Sequence, residues 1–179
     1  MAEPDIQKYC GVMEEVKLRM AVIDFFLFGQ GNAMYMPTTL ETVCLQLRKI
    51  LELVAFSSLI ANKAAYSSAY KDFAKHWNAG ELLKSLARIN PQFYPHPVVE
   101  APTDKPAVKH ELKDRDSDYL TKNEFADVYG RCGVIMHAAN PYGSGIDYDF
   151  YKANPPLWRS RIVNLLNNHQ IRLVGEAEF

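Results

Sequence analysis

Arg131 and His137 are the two residues in this chain whose types and spacing suit a reaction. They lie in the segment YGRCGVIMHAANPY, Tyr129 to Tyr142, with five residues between them. Arginine carries a permanent charge on a planar fork that matches phosphate oxygens. Histidine moves protons near neutral pH. A fork holding a phosphate beside an imidazole is sufficient for metal-free cleavage of RNA through its own 2′-hydroxyl. Asn140 and Tyr142 follow closely and could supply polar contacts to a substrate. Arg48 and Glu52 stand one helical turn apart, where Glu52 could orient a site or simply form a helical ion pair.

The pattern of apolar residues predicts a helix over 121–140, through Phe125, Val128, Tyr129, Cys132, Ile135 and Met136. On a regular helix, six residues turn through about 240°. Arg131 and His137 would therefore face one site only if the helix breaks between them, where Gly133 permits it, or if a second subunit contributes. The structural alternative is plain. Arg131 pairs with Asp127 one turn earlier, and His137 sits near a helix end as a hydrogen-bonding histidine.

Other chemistries find less support. Cys10, Cys44 and Cys132 are odd in number and none forms a CxxC pair. The five histidines lack metal-ligand spacing. Neither a zinc site nor a disulfide framework is expected, no cofactor is implied, and a reducing compartment fits. The 179 residues suit one domain, residues 1–179, with a real core. With 48% hydrophobic and 23% charged residues the chain is ordinary for a globular protein. A formal charge of −1 gives no global footprint of a nucleic-acid binder. The N-terminus lacks the basic start of a secretory signal. The apolar run Ala21 to Phe28 contains Asp24 and is too short for a bilayer. The expectation is a soluble, cytoplasmic protein without a membrane partner.

Four helices must position the candidate residues. The first, about 5–28, is capped by Asp5 and becomes apolar on most sides after Met20, which suggests deep burial or an interface. Gly29-Gln30-Gly31-Asn32 is a turn. The second is the spine, 38–71, with apolar residues at Leu40, Val43, Cys44, Leu47, Ile50, Leu51, Val54, Ala55 and Leu59. Thr38 and Glu41 have the spacing of a capping box. A turn is expected over 72–77, then a short helix from Glu81 to Ile89 capped by Asn78. Five prolines between 91 and 106 exclude a helix there, and Phe93 and Tyr94 read as anchors. We read 91–120 as an irregular insert, with room for one short hairpin near Ala107–Leu112 and a solvated loop at 113–118. Thr121 and Glu124 form another capping box. A loop carries Tyr142, Tyr148, Phe150 and Tyr151, and the last helix is 155–168, opened by Asn154-Pro155. Ile171 to Phe179 alternates weakly, as a closing strand would. The fold class is all-α in the main, an antiparallel four-helix bundle with one Pro-rich insert.

The combination of bundle, Arg131-x5-His137 and a following helix resembles the HEPN superfamily. The stretch Leu47-Arg48-Lys49-Ile50-Leu51-Glu52-Leu53 is similar to the Arg/Glu-bearing second helix of such bundles. The resemblance implies a metal-independent endoribonuclease, or an RNA- or nucleotide-binding relative, in a toxin or defence setting. Arg131 and His137 would be catalytic, Asn140, Tyr142, Arg48 and Glu52 would contact substrate, and the product would be a 2′,3′-cyclic phosphate. It also implies a homodimer and a cognate regulatory protein. Active members carry a polar residue after the Arg, where this chain has Cys132. The rival reading is a non-catalytic helical interaction or regulatory module. In it, the Met20–Phe28 end and the small-residue tail Ala61–Tyr70 bury a partner.

Overall fold

The computed structural model describes residues 1–71, 78–106 and 108–174. The turn expected at 72–77, Ala107 and residues 175–179 lie outside the described residues. The chain is mainly helical, with a small three-stranded antiparallel sheet. In order come α1 (Glu3–Leu27), α2 (Met36–Ala61), α3 (Lys63–Ala69), α4 (Ala79–Ile89), β1 (His96–Pro102), β2 (His110–Asp114), α5 (Lys122–Val134), α6 (Tyr148–Ala153), α7 (Pro155–Leu166) and β3 (His169–Gln170).

The spine is α2, which touches α1, α3, α4, α5, α6 and α7. Its face Leu40, Val43, Cys44, Leu47, Ile50, Leu51, Val54 and Ala55 is buried, as the helical spacing predicted. The start of this helix differs from expectation. It begins at Met36 with Tyr35 as N-cap, so the Thr38–Glu41 capping box does not form. Thr38 instead donates its hydroxyl to the Ala33 and Tyr35 carbonyls, closing the turn that precedes the helix.

The predicted helix 38–71 is not continuous either. It breaks at Asn62 into α2 and α3. The cause is polar competition rather than Gly or Pro. Ser57 and Ser58 both donate to the Val54 carbonyl, and Asn62 Nδ2 donates to the Ser58 carbonyl at 2.9 Å. Such back-bonding bends helices. Asn62 is buried, and its Oδ1 accepts from Asn90 Nδ2 at 2.8 Å, locking the break to the end of α4.

Helix α1 runs antiparallel to α2. Asp5 meets Lys63 at 2.9 Å, and Arg19 meets Gln46 at 2.8 Å. Asp5 does not cap α1, which has Ala2 as its N-cap and no side-chain cap bond. The apolar end of α1 is buried on one side only. Met20 and Ile23 enter the core, while Leu18, Val22, Phe25 and Phe28 are exposed. Gly29, at φ +73°, turns the chain after α1. Helix α7 runs antiparallel to α1, pinned by a two-pronged bond from Arg159 to Asp24.

The insert 91–120 is not irregular throughout. β1 pairs with β2 from Val98↔Asp114 to Pro102↔His110, so the hairpin is longer than the one expected near 107–112. The predicted loop 113–118 begins as strand. Ile171 to Val174 are not strand, and the strand that closes the sheet comes earlier. It is β3, pairing His96↔Gln170 and Pro97↔His169. Phe93 and Tyr94 do anchor the insert: Phe93 is fully buried and Tyr94 donates to the Leu120 carbonyl at 3.0 Å. The full capping box of Thr121 and Glu124 starts α5, and Asn78 caps α4 through the Glu81 amide.

Candidate functional site

Helix α5 ends at Val134, six residues short of the predicted 140. Val134 and Ile135 are β-branched and follow Gly133, a weak helical stretch. Ahead of it, Asn140-Pro141 disfavours helical backbone, and Asn140 Oδ1 takes the Tyr142 amide at 3.0 Å instead. Met136 and His137 donate their amides three residues back, to the Gly133 and Val134 carbonyls. Arg131 thus lies in the last turn of the helix and His137 beyond its end.

Arg131 lies in the last turn of α5 and is exposed. Its Nε is 3.4 Å from Asp127 Oδ1, the ordinary i,i+4 pair, and its Cζ is 5.0 Å from the Phe150 ring centroid. His137 is exposed, and among the described residues its ring makes no hydrogen bond or ion pair. No hydrogen bond or ring contact joins the two side chains among the described residues. Asn140 is exposed and occupied with its own turn, which the Gly143 amide also joins through the Asn140 carbonyl at 2.9 Å. Tyr142 is 97% exposed. Arg131 stands in the last turn of α5, and His137, Asn140 and Tyr142 lie in the exposed loop that follows it. The cavities between α1 and α7 and between α4 and α5 are lined by other residues.

Arg48 and Glu52 do something different from contacting a substrate. Arg48 Nη1 donates to the Tyr129 carbonyl at 2.9 Å, and its Cζ lies 3.6 Å from the Tyr129 ring centroid. Tyr129 Oη donates to Glu52 Oε1 at 3.2 Å, and Glu52 completes the ring of contacts 3.7 Å from Arg48 Nε. Both side chains are largely buried, at 23% and 18% exposure. Burial raises the Tyr129 phenol above its usual value, so it stays a donor. The cluster fixes α5 on α2 from below. Tyr151 does the same from the other side, donating to the Arg131 carbonyl at 2.7 Å from α6. That helix replaces the loop expected around Tyr148–Tyr151, and Asp147 caps it through the Phe150 amide.

Gly133 has a steric role in this cluster. A β-carbon there would stand 2.9 Å from Arg48 Nη1. Cys44 and Cys132, both fully buried, meet at the same α2–α5 contact. The Cys44 hydrogen bond and burial push the Cys132 thiol up, which leaves it an unreactive packing residue.

One polar pair escaped the sequence altogether. Tyr9 and His169 are 160 residues apart and meet between α1 and β3. His169 Nδ1 faces the Leu166 carbonyl at 2.8 Å, so that nitrogen carries the proton and Nε2 accepts from the Tyr9 hydroxyl. Burial lowers the His169 pKa and lifts Tyr9 to about 12. His169 also lines a cavity of about 290 Å³ walled by Met13, Val16, Met20, Ile162 and Leu166. No periodicity or motif signals such a pair. Among the described residues, no three His, Cys, Asp or Glu side chains gather as metal ligands, and no helix is long and apolar enough to cross a membrane.

No family model, curated protein or solved structure matches the chain.

Proposed function

We propose that this chain is a HEPN-like, metal-independent endoribonuclease. In this reading α1, α2, α5 and α7 form its antiparallel bundle. It works in the cytoplasm as a homodimer on RNA. The observation that carries the reading is the state of the α5 end. Arg131 and His137 flank the helix terminus, both in solvent; Arg48 and Tyr151 hold the α5 backbone at Tyr129 and Arg131, and the His137 amide closes a turn on the Val134 carbonyl. The exposed contact between Arg131 and Asp127, at 3.4 Å, is a weak competitor for a phosphate. His137 has no partner to surrender among the described residues. A scaffold that fixes the backbone and leaves the reacting side chains free is what a site on a loop requires.

The chemistry follows from those two groups. Arg131 binds the non-bridging oxygens of the scissile phosphate through its fork and stabilises the added charge of the transition state. His137 takes the proton of the ribose 2′-hydroxyl. The 2′-oxygen attacks phosphorus, the bond to the 5′-oxygen breaks, and a proton returned to that oxygen completes the step. The products are a 2′,3′-cyclic phosphate and a 5′-hydroxyl. Asn140 and Tyr142 contact the substrate, Tyr142 by stacking on an unpaired base. Arg48 and Glu52 act through Tyr129 as positioning residues.

The test is cleavage of total RNA in EDTA by the wild type beside Arg131→Ala and His137→Ala. All three should fold and elute alike, and the wild type alone should give discrete fragments ending in a cyclic phosphate. Cleavage that EDTA abolishes and divalent metal restores, or cleavage by all three proteins, refutes the mechanism.

A second reading rests on the exposed apolar residues at one end of the molecule. Leu18, Val22 and Phe25 of α1, Phe28 just past its end, Met34 and Tyr35 in the turn that follows and Met36 at the start of α2 are all exposed. Exposed apolar groups in such number mark interaction surfaces, and they support a non-catalytic binding module with a regulatory partner. A protein inert on RNA whose self-association is lost in Leu18→Glu/Phe25→Glu would decide for it.

A further inference from the structure

Helices α4 and α5 both pack on α2 and leave a furrow between them, a cavity of about 450 Å³. One wall is the α4 stripe Gly80, Leu83, Lys84 and Ala87, and the other is the α5 stripe Lys122, Asn123, Ala126 and Tyr129. Both stripes follow helical spacing, so the furrow runs along the helices for about two turns, roughly 10 Å. Its width comes from the small residues Gly80, Ala87 and Ala126, where larger side chains would close it. The floor is apolar, with Leu83 and Tyr129 nearly buried.

The rims are cationic. Lys84 and Lys122 are exposed, and among the described residues no carboxylate lines the furrow. Lys84 pairs with Glu81 at 2.9 Å, an exposed i,i+3 contact of little worth. Lys122 has no carboxylate within 4.0 Å among the described residues, and its Nζ stands 5.8 Å from the Phe93 ring centroid. A ligand with an apolar ridge flanked by negative charge complements this surface. Nucleic acid complements it poorly, because bases need an open aromatic face. The Tyr129 ring has the Arg48 guanidinium 3.6 Å from its centroid and Phe125 stacked beside it.

We propose that the α4–α5 furrow docks an acidic amphipathic helix of a partner protein, with small apolar side chains on the floor and Glu or Asp on Lys84 and Lys122. This is the helix-in-groove mode. The furrow includes none of Arg131, His137, Asn140 or Tyr142 and shares only Tyr129 with the cluster that holds α5 on α2, so peptide binding there is read independently of RNA cleavage.

The test uses the full chain and a fluorescent peptide of about 12 residues, about three turns, with Ala and Leu on one face and Glu on both flanks. A peptide with Lys for Glu and a single-stranded RNA of similar length are the competitors. The acidic peptide should bind saturably and protect amides of 79–89 and 122–134 from hydrogen exchange. Binding should weaken about tenfold or more in Ala126→Trp and in Lys84→Glu/Lys122→Glu. These side chains are exposed, so both variants should fold. Failure to saturate, indifference to Ala126→Trp, or displacement by RNA that itself depends on the two lysines would overturn the proposal.

Discussion

Replacing Gly133 by Ala tests whether Arg48 holds the end of α5. A helical Gly→Ala change alone stabilises by about 0.8–1 kcal/mol. Here the new β-carbon would lie 2.9 Å from Arg48 Nη1, so the guanidinium must move. That group donates to the Tyr129 carbonyl and lies against the Tyr129 ring. A hydrogen bond from a charged donor is worth about 1.5–3 kcal/mol, and a partly exposed cation–π contact about 0.5–1 kcal/mol. With Arg48 about one-quarter exposed, we take the lower end, a loss of about 2 kcal/mol if both contacts fail. Gly133→Ala should then cost about 1 kcal/mol net in the wild type. In an Arg48→Ala background the same change should stabilise by about 0.8 kcal/mol, because nothing is left to displace. The coupling energy is about 2 kcal/mol and is read from urea unfolding of the four proteins at constant m. Additivity within about 0.5 kcal/mol, or a stabilising Gly133→Ala in the wild type, would refute the role given to Arg48.

Two further outcomes follow from the buried polar groups. His169 has a lowered pKa through burial, so the unfolded chain binds its proton more readily. Its contribution is present in full above the unfolded value of about 6.5 and is lost as pH falls from there toward the folded value, at about 1.4 kcal/mol per unit of depression. The wild type should lose stability over that window and His169→Gln should lose less, by thermal melts from pH 8 to 5; equal slopes would exclude His169 as the cause. Asn90 Nδ2 donates to Asn62 Oδ1 and to the Arg172 carbonyl, each at 2.8 Å. Asn90→Ala strands both acceptors and should cost about 2–3 kcal/mol. Asn90→Asp, which turns the donor into an acceptor facing two others, should be no better. A cost below about 0.5 kcal/mol for either in chemical unfolding would show that the α2–α3 break is held by other contacts.

Local rules fixed in sequence were enough to place most helices. The buried face of α2 is legible because a helix core must repeat at three and four residues, from Leu40 to Ala55. The caps at Asn78 and Thr121 are legible because each side chain satisfies an amide three residues away. Arg131 and His137 are legible as chemical types, and so is the Asp127 pair. What tertiary structure decided concerns groups distant in sequence. The α2–α3 break depends on Asn62 finding Asn90, and the strand partners of β1 lie on either side of α5–α7 in the chain. Arg48 and Glu52 look like any i,i+4 pair until Tyr129 arrives between them. Gly133 looks like a hinge, yet it is the clearance for a guanidinium 85 residues away. Tyr9 and His169 carry no local signal at all, because their hydrogen bond exists only once α1 and β3 are packed. Spacing along a chain encodes which face a residue takes on its own helix. Which distant group completes its hydrogen bonds is set by how the helices and strands pack.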